Sequence, residues 1–397
     1  MRPLLAAALL ALGAPARAAV DAYDAGLDPG KGIIWSDDGY HYAWYEPAEG
    51  EDRWIVDGKV RVKGAEGSLE GPAALSPDGR LLLHALAVPG GVAAAVNGKR
   101  IGGAYEELAE PRFSPRGVNA AYGGKTAKGW SYVSVQGAGP AFKEPPLHAA
   151  VTDKRTQYVV DYNGTRWLYV DHKPVRKLPP FAGVSASADL ARLAGVFEGS
   201  DGMVYVEVDG ERFGPYNQAS TPVFSRSGKH FAFMASAESQ SGYDVLVVDG
   251  QDRPMKRCGD CSVQVDDAGR AFQDQIMTGV SERAQIHVAF LDGKSLHAGG
   301  QPPRVGLAPG GRHYVYPMSS SRGLVVGLDG AIAETGVPMP LVPAPVVFDG
   351  EEYHYWAAAR KRLFLVCGHA VAKAPRTRCA GVARAAGWPK ADVVAEP

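Results

Sequence analysis

Two short patterns return along the chain with the same period, and a chain built that way must fold as a series of like units. The first is a turn followed by a strand: Ser36-Asp37-Asp38-Gly39, Ser76-Pro77-Asp78-Gly79, Ser114-Pro115-Arg116-Gly117 and Ser225-Arg226-Ser227-Gly228. Weaker copies start at Thr152, Ser187, Asp266, Ala308 and Asp349, so that nine starts follow one another at intervals of 35 to 42 residues. The copies at Thr152, Ser187 and Asp349 lack the glycine three places on and rest on spacing. The second pattern lies 18 to 26 residues after the first: Asp57-Gly58, Asn97-Gly98, Gln136-Gly137, Asp209-Gly210, Asp249-Gly250, Asp292-Gly293 and Asp329-Gly330, with Asp171-His172 and Cys367-Gly368 filling the two remaining places. Asp-Gly and Asn-Gly favour two-residue turns with positive φ, which match the twist of paired strands, so each pair marks a β-hairpin tip.

β-Branched and aromatic runs precede the tips, among them Trp54-Ile55-Val56, Trp167-Leu168-Tyr169-Val170 and Val245-Leu246-Val247-Val248. About 39 residues with several short strands and no helical period is the size of one four-stranded propeller blade. Six residues after each start stand Tyr42, Leu82, Ala120, Tyr158, Leu193, Phe231, Phe272, Tyr314 and Tyr355, and two residues later Trp44, Tyr122, Val160, Phe233 and Tyr316 share the same strand face. These side chains are expected to pack blade on blade rather than to form a stacking platform for sugars or bases. The expected fold is all-β: a single β-propeller of eight or nine four-stranded blades. Either the ring is large, or the outermost copies share one blade by pairing N-terminal with C-terminal strands. Closure hides sheet edges.

The Ser-Pro-Asp-Gly turn, the strand behind it and the Val-Val-Asp-Gly hairpin resemble the WD40-like repeats of the TolB-type propeller family, over residues 30–375. The resemblance implies the fold and says little about activity. The first repeat begins near residue 30, which leaves no room for the α/β domain of TolB itself, and the eighteen residues after Cys379 are too few for the hydrolase domain of propeller peptidases.

Residues 1–18 read as an export signal: Arg2, an apolar run over residues 4–12, and Ala16-Arg17-Ala18 at the cleavage-site spacing. The run is about half the length that crosses a bilayer, so no transmembrane segment is expected in the mature chain. No Cys follows it to carry a lipid anchor. The propeller is expected over residues 19–397, with a short C-terminal tail from about 380, in a periplasmic or secreted protein. With 42 Lys and Arg against 43 Asp and Glu, nothing suggests a nucleic-acid partner.

Four cysteines in an exported chain are expected to pair. The sixth and ninth copies would lie about 120° apart on a ring, too far for one disulfide. Cys258 therefore pairs with Cys261 and Cys367 with Cys379. As a redox site Cys258-x-x-Cys261 would need a helix N-terminus, and as half a zinc site two further ligands; a structural staple is the expectation. No Gly-x-Ser-x-Gly elbow or His-Glu-x-x-His helix is present. Gly124-Lys125-Thr126 belongs to a hairpin rather than a phosphate loop, and Asn163-Gly164-Thr165 matches a glycosylation acceptor.

Five residues into each copy stand His41, Leu81, Asn119, Gln157, Arg192, His230, Ala271, His313 and His354. Copies eight, nine and one become neighbours when a ring closes, so His313, His354 and His41 would hold a metal if they converged; otherwise each fills a polar place at the start of its strand. No catalytic, cofactor or metal residue is assigned. The functional expectation is a non-enzymatic scaffold that binds a protein or peptide partner through its loop face or central channel. The alternative is a secreted metal-dependent propeller hydrolase, lactonase-like, with ligands converging in the channel.

Overall fold

The computed structural model describes residues 21–25, 32–36, 38–47, 52–63, 71–238, 241–259, 261–278, 285–292, 294–299, 306–308, 313–320, 323–328, 331–334, 346–359, 362–369 and 377–386. The signal-like residues 1–18, the tip Asp329-Gly330 and the chain after residue 386 lie outside them. Nine antiparallel sheets follow one another. Eight have four strands; in the sixth along the chain the inner strand is interrupted, and Gln218–Ala219 and Val223–Phe224 both pair with Phe231–Ser236. The protein is a β-propeller whose described residues form nine blades, numbered here from Ile33–Trp35, the inner strand of blade 1.

The first alternative for closure holds: the outermost copies form separate sheets rather than sharing one. N-terminal and C-terminal strands do pair, because a strand ahead of the first copy, Asp21–Asp24, completes Val347–Asp349, Glu352–Ala359 and Arg362–His369 as the outermost member of the last blade. Asp21 pairs with Cys367 and Asp24 with Phe364. Cys367-Gly368 is therefore not a hairpin tip. It lies inside a strand, and a Cβ on Gly368 would stand 2.2 Å from the Tyr353 ring.

The recurring residues are explained by one hydrogen-bond pattern. Each turn joins the inner strand to the second strand, and in blades 1, 2, 3, 5 and 6 its buried Ser accepts, through Oγ, the main-chain N–H five residues on, for example from His41 to Ser36 at 3.0 Å, Leu81 to Ser76 at 2.9 Å and Arg192 to Ser187 at 2.9 Å. The same hydroxyls donate to Asp38, Asp78 and Asp189. In blade 7 the carboxylate of Asp266 replaces the serine and accepts from the N–H groups of Ala268 and Arg270, both at 2.9 Å. The tip aspartate or asparagine returns to the same end of the blade, where its Oδ1 takes the first N–H of the second strand: Asp57 from Tyr42, Asn97 from Leu82, Asp209 from Leu193, Asp249 from Phe231. Turn and tip are thus two halves of one clasp on one face of the ring, the turn face.

The core is divided among the seams. Tyr132, Phe142 and Ala149 pack with Tyr158 between blades 3 and 4, and Val206, Tyr216 and Phe233 between blades 5 and 6. The ninth seam, between blades 9 and 1, joins Tyr40, Tyr42 and Trp44 to Trp356, Leu363 and Leu365. Of the nine residues six places after each start, eight are buried and Ala120 is half-buried; Trp44, Tyr122, Val160 and Phe233 are buried beside them. These aromatics are blade-to-blade packing.

The turn glycine has a second duty. Gly79 has φ +66°, and a Cβ there would stand 2.5 Å from the imidazole of His41 in the preceding blade. Gly79→Ala is expected to lower stability by about 2–4 kcal/mol through strain and overlap. Gly164→Ala, at φ +72° with open space around it, is expected to lose only about 1 kcal/mol. Urea midpoints of the two variants separate the contact from the backbone effect, and equal losses would remove the contact from the account.

Candidate functional site

The inner strand of each blade is paired on one side only, so nine strand edges face the ring axis. They enclose a channel of about 1030 Å³ to which every blade contributes. Its wall mixes apolar and polar groups: Trp35 and Phe224, one residue before the turns, are half-buried beside it, Leu75, Phe113 and Phe348 at the same place are buried into their blades, and Asp38, Arg112, His148, Arg226, Asp349 and Arg378 also line it.

The turn-face mouth carries charge. The C-terminal helix Thr377–Ala386 docks there across the seam of blades 9 and 1. Buried Glu352 caps it, accepting the N–H of Cys379 at 2.8 Å and that of Arg378 at 3.3 Å. Lys59 of blade 1 donates to the carbonyl of Ala385 at the other end. Both placements suit the helix dipole. The Cys367–Cys379 disulfide ties the helix to blade 9. Arg378 reaches Asp349 at 2.7 Å and Asp38 at 3.0 Å, one carboxylate from each side of the seam, and its guanidinium lies 4.6 Å from the centre of the Tyr40 ring. The sequence suggested only a tail here; the helix is held by partners remote in the chain.

Arg226, in the turn of blade 6, donates through Nη1 to the carbonyl of Phe348 in blade 9, at 2.9 Å. These blades are three places apart, so the side chain spans a chord of the mouth. Away from the mouth, a register shift between Ala109 and Arg112 in the inner strand of blade 3 puts Glu110 at φ 49°. There Arg112 donates to Glu110 at 2.8 Å. His148 of blade 4 lines the same wall, and burial followed by the charge of Arg112 holds its pKa below the ordinary histidine value.

His41, His313 and His354 do not form a common site. His41 Nδ1 lies 2.8 Å from Asp57 of its own blade, as His230 does from Asp249 at 2.6 Å. His313 Nε2 lies 3.3 Å from Glu351 of the next blade. His354 is fully buried, stacked on Tyr40 with ring centres 3.6 Å apart, and its Nε2 bonds the carbonyl of Asp38 at 2.8 Å. It leaves the column because blade 9 turns in two residues, with Asp349 opposite Glu352, where blade 1 uses the longer serine turn. Gln157 and Ala271 leave it for the same reason: the Asp171 and Asp292 tips bond the N–H groups of Thr156 and Ala271, so the equivalents of His41 are Arg155 and Arg270. Among the described residues no three His, Cys, Asp or Glu side chains stand close enough to hold a metal ion.

The column instead stitches blade to blade. Asn119 donates to Thr152 O at 3.0 Å and Arg192 to Gly228 O at 2.9 Å, each in the next blade's turn. His354 and Trp356 do the same from blade 9 to the carbonyls of Asp38 and Gly39 in blade 1.

Both cysteine pairs are disulfides, Cys258–Cys261 with Cα atoms 6.1 Å apart and Cys367–Cys379 at 6.2 Å. The first joins the outer strand of blade 6 to the inner strand of blade 7, and the second fastens the helix. Gly124-Lys125-Thr126 ends a strand in a hairpin, and Asn163-Gly164 is a hairpin turn. No described helix is long and apolar enough to cross a membrane.

No family model matches the chain, and no curated protein matches it in sequence. Among solved structures it is similar to a eukaryotic initiation factor, at 10% identity and a TM-score of 0.48 over 86% of this chain and 90% of that one. The Dos1 propeller matches at 9% identity and 0.44, over 88% and 95%. The β-propeller domain of the Trilobed protease from Pyrococcus furiosus, described as having an open velcro topology, matches at 14% and 0.35, over 68% and 97%.

Proposed function

We propose that this protein is an exported propeller scaffold that binds a protein or peptide partner in its axial channel. The observation that carries this reading is the channel itself: residues from every blade, among them the half-buried Ile34, Trp35, Val223 and Phe224 together with charged groups, beside strand edges with pairing capacity on their axial side. Free strand edges and alternating apolar side chains are what an extended peptide uses for main-chain bonds and for side-chain burial. The signal-like N-terminus and the two disulfides support export. The Ser76-Pro77-Asp78-Gly79 turn and its variants in other copies support a place among TolB-type propellers. The hydrolase alternative needs ligands converging in the channel, and His41, His313 and His354, the residues weighed as a metal site, lie against separate partners.

The test places a photo-crosslinking amino acid at Ala186, on the channel wall, or at exposed Val175 in the outer strand of blade 4. In the native envelope a discrete protein or peptide adduct is expected from position 186 and none from 175. Ala150→Trp, which fills the channel from another blade, is expected to lower the yield by about tenfold or more, as loss of a contact worth more than about 1.4 kcal/mol would. Equal adducts from both positions, or a yield indifferent to Ala150→Trp, would overturn the reading.

A further inference from the structure

The charges around the channel are unevenly satisfied. Three guanidiniums line it: Arg112, Arg226 and Arg378. Arg112 is bound to the carboxylate of Glu110, and Arg378 to those of Asp38 and Asp349. Arg226 is exposed; its one direct hydrogen bond among the described residues is to the Phe348 carbonyl across the mouth. Burial raises the pKa of the neighbouring Asp267 carboxylate, but hydrogen bonds from Ser227 and Ser225 and the charge of Arg226 together hold it below the ordinary carboxylate value. Asp267 accepts the N–H of Ser227 at 2.7 Å and, among the described residues, forms no ion pair with the guanidinium. A guanidinium carries five donors in a rigid fork suited to a carboxylate, and one bond to a main-chain carbonyl uses little of that capacity. The fork sits at the inner-strand ends, where Phe224 and Phe348 stand next to it.

Resting on the channel reading above, we infer that the occupant is the free C-terminus of a partner chain ending in apolar residues, with Arg226 exchanging the Phe348 carbonyl for the terminal carboxylate. The apolar side chains before that carboxylate bury against the wall, and the last N–H and C=O groups meet the strand edges. Charge complementarity selects this occupant: an internal loop brings apolar surface and no terminal anion. A bidentate ion pair there is stronger than the single bond to a neutral acceptor that it replaces.

The test uses a library of random heptapeptides displayed with free C-termini, selected on the full-length protein, with the selected sequences then synthesised as acids and as C-terminal amides. Selected peptides are expected to end in apolar residues, and amidation to weaken them by about tenfold or more, the scale of a charge-assisted hydrogen bond. Arg226→Gln is expected to weaken the acids by the same factor and leave the amides unchanged, and Arg226→Lys to restore part of the loss. The acid–amide comparison on the unaltered protein needs no variant to fold. Equal binding of acids and amides would overturn the inference while the channel reading stands. Dodecanoate binding as tightly as any peptide would overturn the choice of a peptide. No selected peptide at all, together with no adduct at position 186, would sink both.

Discussion

Trp356→Ala is expected to lower the stability of the whole ring by about 3–5 kcal/mol, among the largest losses any single substitution here should bring. Trp356 is fully buried at the seam where the last blade meets the first. Its ring lies 5.3 Å from that of Trp35 and 5.1 Å, edge to face, from that of Tyr42, and its Nε1–H donates to the carbonyl of Gly39 at 2.6 Å. Truncation leaves a cavity against two aromatic rings and a buried carbonyl without its donor. Trp356→Phe separates the two effects, since it keeps most of the volume and loses the bond; about 1–3 kcal/mol is expected. Because blade 9 is closed by the strand Asp21–Asp24, hydrogen exchange should accelerate first at Tyr23, Ala25 and Leu365 in the alanine variant. A loss of stability below 1 kcal/mol, or exchange quickened equally around the ring, would show that the seam is not where closure is secured.

The blades were legible because their turns depend on particular atoms. A buried Ser Oγ, an Asp carboxylate and a glycine at positive φ satisfy the same main-chain groups from copy to copy, and few other residues do so. The closure was legible only as a choice. Asp21–Asp24 carries no turn signal and becomes a strand through its pairing with residues 364–367. The sequence Cys367-Gly368 looks like a tip, although its glycine is required by the Tyr353 ring packed over it inside a strand. The helix Thr377–Ala386 has no acidic residue in its first turn; its cap is Glu352, 25 residues earlier. A local pattern cannot reveal a cap supplied by tertiary contact. The histidine column misled because fixed spacing assumed equal turns, and blades 4, 7 and 9 shorten theirs. Of the channel, the sequence revealed that inner strands must converge. That Arg226 crosses the mouth to Phe348, 122 residues away, follows from ring geometry alone.

His354 should make the same seam sensitive to acid. Burial pushes its pKa down to about 3; the bond to the Asp38 carbonyl and the charge of Asp349 oppose this, and Arg378 and His41 add to it. In the unfolded chain the group titrates near 6.5. Between those values the unfolded state takes up a proton that the folded state refuses, so the contribution of His354 is complete above about pH 6.5 and is lost progressively as pH falls toward 3. The expected slope from this one group is about 1 kcal/mol per pH unit between pH 6 and 5, where most carboxylates have yet to protonate. His84, His148 and His172, whose pKa values burial also lowers, add slope of the same sign. They are common to the unaltered protein and to His354→Gln, which offers an amide N–H to the Asp38 carbonyl and does not titrate. Urea unfolding at pH 7, 6 and 5 should therefore give the variant a flatter dependence by about 1 kcal/mol per unit, whatever its stability at pH 7. Parallel curves would mean that the imidazole accepts a proton in place, with Tyr40 stacked on one face and the Asp38 carbonyl at Nε2. The seam of blades 9 and 1 would then have to admit water at its centre, and the burial of Trp356 and Tyr42 argues that it does not.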